Sequence, residues 1–276
     1  MSRMIQYEII GEKEDETIKK NTIQIPKKYV EIKEQNKNDE YKKNMELIKQ
    51  LSVYSLIDKK CNILSTFAHD ICIGRDSTHG YEHLKNVAIT ARLIALTDYN
   101  YKTYPNLDNL ILDVLTVGWL HDVADYKYDY DGTLQTKLDD FGYKNILNYE
   151  NIKKVINLIS LTKENEAVEE GKTIDYNKIL GEHYQLVRQI VSDADKLEAI
   201  GKDGIQRCIN YVSFKNPTLS KNEIYKLVID YANNKLIKIK DHFIKTKTGK
   251  ILSETLHKEM IELINYLTFC VNYKPL

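Results

Sequence analysis

The 276-residue chain holds only 11 glycines and 4 prolines. Few positions therefore force a turn or break a helix, and long helices are the expectation. The four cysteines, Cys61, Cys72, Cys208 and Cys270, stand far apart with no CxxC pair. That spacing argues against a zinc ribbon or a thioredoxin-type site and for free thiols in a reducing compartment. Net charge is absent as well: 40 basic residues balance 40 acidic ones. This speaks against a nucleic-acid binder driven by overall charge. No run approaches about 18 apolar residues, the length a membrane helix needs. The opening stretch MSRMIQYEIIGEKEDETIKK lacks the apolar core of a signal peptide. A cytoplasmic protein with no membrane partner is expected.

What is present is helical patterning. Hydrophobic residues make up 42% of the chain, enough for a sizeable core. Residues 1–41 differ from the rest. MIQYEII and NTIQIP could pair as short strands, but the segments around them are charge-rich. They read as an N-terminal arm, a small β-hairpin or a disordered segment. From residue 42 to 276, apolar residues recur at helical spacing. NMELIKQLSVYSLI and CNILSTFAHDICI read as two helices. GRDSTHG interrupts them, with Asp76 or Ser77 able to cap the next helix. Leu84, Val87, Ala88, Ala91, Leu93 and Ile94 give that helix its apolar face. NLILDVLTVGWLHDVAD is the most apolar helix and reads as central. KENEAVEEGKTIDYNK reads as an exposed acidic loop. YQLVRQIVSDADKLEAIG reads as a helix, and KNEIYKLVIDYANNKLIKIKDHFI and ETLHKEMIELINYLTFCV as long tail helices. The expected fold class is all-α.

The polar residues that interrupt these apolar helices carry the chemistry. His79 and His83 are four apart and share one helix face. His121 and Asp122 end the central apolar run, with Asp125 one turn further on. Asp193 and Asp195 close another apolar stretch, IVSDADKLEA. Imidazole and carboxylate together suit a divalent cation of borderline hardness. Carboxylates in apolar helices need a counter-charge, and one cation would serve them all.

The order H…HD…D on helices resembles the HD superfamily of metal-dependent phosphohydrolases. DSTHGYEHLKNV is similar to the family's first-histidine helix. GWLHDVADYKY is similar to the HD helix of single-domain bacterial members, with their HD-x-x-D-x-K ending. VINLISLTKE resembles the short helix that follows, and IVSDADKLEAIGKDGIQRC resembles a DADRLDAIGAIGIAR segment. The four segments run in order over roughly residues 60–215. A second dipeptide, FAHD with His69 and Asp70, has no histidine before it and cannot satisfy that order. It reads as a surface pair.

The resemblance implies an HD-domain helical bundle. It implies that His79, His121, Asp122 and Asp195 hold one divalent metal ion, with Asp193 as the rival to Asp195 and otherwise an acceptor that orients a ligand histidine. Mn, Fe, Ni, Co, Zn and Mg all remain open as the ion. Asp125 is expected to move protons, Lys127 and His83 to stabilise phosphoryl charge, and Lys163 and Arg207 to contact phosphate. The implied substrate is a small phosphorylated molecule, a nucleotide, such as a nucleoside triphosphate cleaved to monophosphate and pyrophosphate. Rival readings are a phosphomonoesterase, a cyclic-nucleotide phosphodiesterase and a helical binding protein with a structural metal. A homodimer is compatible with all of them.

Overall fold

The computed structural model describes residues 37–75 and 80–272, with side chains from residue 55 onward. The chain divides into two units, Met1–Ser55 and Leu56–Leu276. The strands expected in the N-terminal arm lie outside the described residues. The described residues are helical and contain no strand, so the fold is all-α.

The helices are α1 (Lys37–Cys72), α2 (Tyr81–Asp98), α3 (Leu107–Leu120), α4 (Thr133–Asn145), α5 (Tyr149–Asn157), α6 (Leu161–Glu169), α7 (Tyr176–Glu198), α8 (Gly201–Lys215), α9 (Lys221–Asn234) and α10 (Lys247–Asn272). The two helices expected before residue 74 are one, α1, and the boundary expected near residue 41 falls in its opening turns. The expected acidic loop is helical as far as Glu169. The first tail helix stops at Asn234 rather than continuing to Ile244; a 3₁₀ turn and a π turn follow it. Its start is well defined, because Ser220 and Glu223 form a reciprocal capping box.

Three helices, α2, α3 and α7, pack against one another and form the centre of the second unit. From Val114 to Leu120 every residue of α3 is buried, as an apolar run with no polar face requires. On α2 the buried face is His83, Leu84, Val87, Ala88, Ala91, Ile94 and Ala95. Leu93, expected on that face, is exposed, since it falls on the opposite side of the helix from Ala91 and Ala95. Among the described residues no helix is long and apolar enough to cross a membrane.

The α2–α3 contact is set by small residues. A Cβ placed on Gly118 would stand 2.8 Å from the Ala88 Cα and 3.2 Å from its Cβ. The backbones therefore meet at a distance that only glycine permits on α3. A side chain at residue 118 must push backbone against backbone, which is overpacking in its least relaxable form. Gly118→Ala should cost about 1–3 kcal/mol. That corresponds to a melting temperature lowered by several degrees, measurable by thermal unfolding with circular dichroism.

Candidate metal centre

α3 ends at Leu120, and His121 is its C-cap. The sequence pattern suggested that the helix runs on through Asp125; instead a series of tight turns follows, with Val123 N–H donating to the Leu120 carbonyl and Asp125 N–H to the Asp122 carbonyl. The cause is visible across the chain. Arg75 donates from Nη1 to the Asp122 carbonyl at 2.9 Å and from Nη2 to the Val123 carbonyl at 2.5 Å. A guanidinium fork takes two carbonyls that a longer helix would have used itself. Arg75 also stacks over the Tyr128 ring at 4.7 Å. The HD dipeptide thus sits on a helix end held by an arginine.

Four donors converge below that helix end. His83 Nε2 lies 3.5 Å from Asp122 Oδ2 and 3.5 Å from Asp195 Oδ1. His121 Nε2 lies 3.8 Å from each of the same two oxygens. Both imidazoles are buried, edge to face, with ring centres 5.3 Å apart. His83, His121 and Asp195 each present a ligand atom within 4.8 Å of the others. Ligands about 2.1 Å from a common cation stand about 3–3.5 Å from one another, so the spacing suits a shared ion.

The tautomer of His121 is fixed. Its Nδ1 lies 2.9 Å from the Gly118 carbonyl, which can only accept, so Nδ1 carries the proton. Nε2 is left as the electron-pair donor, and it is buried with no hydrogen-bond partner. A buried imidazole nitrogen facing two carboxylates at 3.8 Å, too far for a hydrogen bond, is the environment a cation would complete. A divalent ion fits this donor set.

Charge shapes the protonation of the cluster in the absence of an ion. Burial alone would lower the His121 pKa. The Asp122 and Asp195 carboxylates and the Gly118 carbonyl outweigh it, and the pKa is raised to about 9. Burial pushes the Asp195 carboxyl up, but His121 and His83 overcome it and hold the acid below its ordinary value.

The expected site residues divide accordingly. His121, Asp122 and Asp195 come together in one cluster. His79 lies outside the described residues. His83, expected beside phosphate, stands in the cluster with the ligand-type residues, because its place on the buried face of α2 directs it inward. Asp193 makes no contact with a histidine among the described residues. Its Oδ2 accepts from the amides of Lys245 and Thr246 at 2.9 and 2.6 Å, so it anchors the turn before α10. Asp125 is folded back on its own loop: Oδ1 accepts from the Lys127 amide at 2.9 Å, and Oδ2 lies 3.6 Å from the Lys127 ammonium. Arg207 donates to the Glu198 carbonyl at 3.1 Å, where α7 gives way to α8. Lys163 is exposed in the first turn of α6, its amide donating to the Ser160 cap. The cap expected at Asp76 or Ser77 is replaced by Gly80, where α2 begins. His69 and Asp70 are an exposed pair on α1.

Glu164 went unread in the sequence. It accepts from the Arg188 guanidinium and, at 2.8 Å, from Lys196 Nζ, next in sequence to Asp195. The signal was on α7: Arg188, Ser192 and Lys196 recur every four residues in an apolar helix and are all buried. Two buried cations on one stripe require an acid from elsewhere.

No family model matches the chain. Over 76% of its length it is 24% identical to the uncharacterized protein YpgQ of Bacillus subtilis, spanning 92% of that protein. The crystal structure of B. subtilis YpgQ in complex with ADP matches with a TM-score of 0.53 at 19% identity, covering 75% of this chain and 95% of that one. An HD-superfamily hydrolase from Bacillus thuringiensis matches with a TM-score of 0.52 at 21% identity, covering 79% of this chain and 100% of that one. A Lactobacillus plantarum protein matches with a TM-score of 0.55 at 21% identity, covering 76% and 95%. At these identities the likeness is one of fold: the chain shares its fold with these structures, one of them an HD-superfamily hydrolase.

Two results are expected from metal analysis. His121→Ala should lose the bound ion, while His69→Ala should retain it, as read by metal content of the purified variants. Retention of the ion by His121→Ala would refute the site. The raised His121 pKa gives a pH dependence with a definite sign. An ion must displace the His121 proton, so metal affinity should rise with pH up to about 9, by roughly tenfold per unit if one proton is released. Calorimetry in buffers of different ionisation enthalpy measures that proton directly.

Proposed function

We propose that this chain is a metal-dependent phosphohydrolase acting on nucleotides, with nucleoside triphosphates as the first substrates to test. The observation that supports it is the convergence of His83, His121, Asp122 and Asp195. The ADP held by YpgQ favours a nucleotide over other phosphates. When bound, a divalent ion supplies a lowered pKa for water and positive charge for a phosphoryl oxygen.

The protein residues divide the remaining work. His83 and His121 present imidazole donors from the buried faces of α2 and the α3 end, and Asp122 and Asp195 bring the compensating negative charge. Asp125 follows Asp122 by three residues, and its carboxylate is the group assigned to take a proton from water or give one to the leaving oxygen. Lys127 pairs with Asp125 and supplies a cation for the phosphoryl oxygens. Arg75, by holding the Asp122 and Val123 carbonyls, fixes the loop from which Asp122, Asp125 and Lys127 all project.

Hydrolysis should appear in a screen of nucleoside triphosphates, cyclic nucleotides and phosphomonoesters with Mn, Fe, Ni, Co, Zn and Mg added in turn. If the protein binds metal and hydrolyses none of them, the proposal fails and the site is structural. A sharper outcome concerns Asp125. Asp125→Asn should keep the ion and the helical fold while slowing hydrolysis by roughly a hundredfold or more. Wild-type rates would reduce Asp125 to a partner of Lys127, and metal loss would make it a ligand.

A further inference from the structure

A cavity of about 460 Å³ lies in the second unit, away from the metal centre. Its volume is in the range of small-molecule sites. Asp113 of α3 and His183 of α7 mark its place. His183 stands about 18 Å along α7 from Asp195, at about 1.5 Å per residue. One wall is a fixed hydrogen-bonded chain. His183 Nε2 lies 2.8 Å from Asp113 Oδ2, which only accepts, so Nε2 carries the proton. The Tyr104 hydroxyl lies 2.5 Å from Nδ1. Burial holds that phenol above its ordinary pKa and keeps its proton for the imidazole. The chain leaves Asp113 with one oxygen, Oδ1, that has no hydrogen-bond partner among the described residues.

Lys60 lines the same cavity and donates to the Asn145 carbonyl. An ammonium carries three donors, so two remain. Lys60 forms no ion pair with Asp113 or another acid among the described residues. Burial lowers its pKa, with Asp113 opposing, as befits a cation short of a close counter-ion. Leu112 and Ile146 line the cavity as well, with Leu56 and Leu147, which are exposed. We propose that this cavity binds an α-amino acid with an apolar side chain: the ammonium at Asp113 Oδ1, the carboxylate at Lys60, the side chain against the leucines and Ile146. Two opposite charges that line one cavity without pairing leave a gap between them. A ligand with one charge satisfies one of them and leaves the other half-buried and unmatched, which is costly. A zwitterion meets both through charge-assisted hydrogen bonds. The inference is independent of the phosphohydrolase reading.

Calorimetry on the wild-type protein tests this with L-leucine and L-phenylalanine and with their half-molecules. The amines are isoamylamine and phenethylamine; the acids are isocaproate and hydrocinnamate. At least one amino acid should bind. Its own amine and acid should each bind about tenfold more weakly or worse, since each forfeits one charge-assisted hydrogen bond. Lys60→Met should weaken the amino acid but not the amine. Asp113→Asn should weaken the amino acid but not the acid, and general loss of the cavity would give neither pattern. Circular dichroism checks that the variants fold; where one does not, the half-molecule comparison on wild type decides by itself. Adenosine is the control, because Asn106 and Asn109 also line the cavity and side-chain amides recognise nucleobases. No binding of either amino acid at millimolar concentration, a half-molecule that binds as tightly as its parent, or adenosine binding in place of both overturns the proposal.

Discussion

The site depends on how closely α2 and α3 approach. Gly118 and Ala88 bring two backbones into contact, and the ligand-type residues lie just beyond the crossing. His83 is about one turn before Ala88 on α2. His121 is about one turn after Gly118 on α3, and its Nδ1 bonds to the Gly118 carbonyl. The same glycine thus sets the helix separation and holds the His121 imidazole through its carbonyl. Cohesion of the apolar core and geometry of the polar cluster are here the same constraint.

The cluster is embedded in a wider arrangement of buried charge. Glu164 on α6 accepts from Arg188 and Lys196 of α7, and Ser192 also donates to it at 3.2 Å. One acid thus stands between two bases, and Lys196 is next in sequence to Asp195. Such groups are tolerated inside a protein because each one is paired and hydrogen-bonded. The energy of the arrangement is less informative than its rigidity: α6 and α7 are locked at a defined rotation, and α7 carries Asp195.

The helices and the central pairing of His121 with Asp122 and Asp195 were legible in the sequence, because apolar spacing and motif order report long-range arrangement directly. The loop geometry was not. Where α3 ends depends on Arg75, 46 residues before His121, reaching two carbonyls, and no local pattern encodes that. The role of Asp193 was hidden for a similar reason: its partners are backbone amides of residues 245 and 246, which carry no side-chain signature. Leu93 shows the limit of counting apolar residues, since a helix can present leucine to either side. Glu164 lay in a stretch so acidic that it read as solvent-exposed, although the buried Arg188–Ser192–Lys196 stripe called for a partner. His83 belonged to a recognised pair of histidines, but that it faces the carboxylates is decided by the rotation of α2.

One turn of α7 has an unusual division of labour. Asp193 grips the turn before α10, Asp195 faces the two histidines, and Lys196 reaches back to α6. Three neighbouring positions point in three directions, each to a different part of the chain. A helix advances 100° per residue, so inserting or deleting a single residue between the kink at Gly181 and Asp193 would swing all three into the wrong sectors at once. Rotational phase is thereby under a single, unforgiving check. Only substitutions preserve that phase between Gly181, where the helix is kinked, and Glu198, and a change in length must be absorbed at or before the kink or after Glu198.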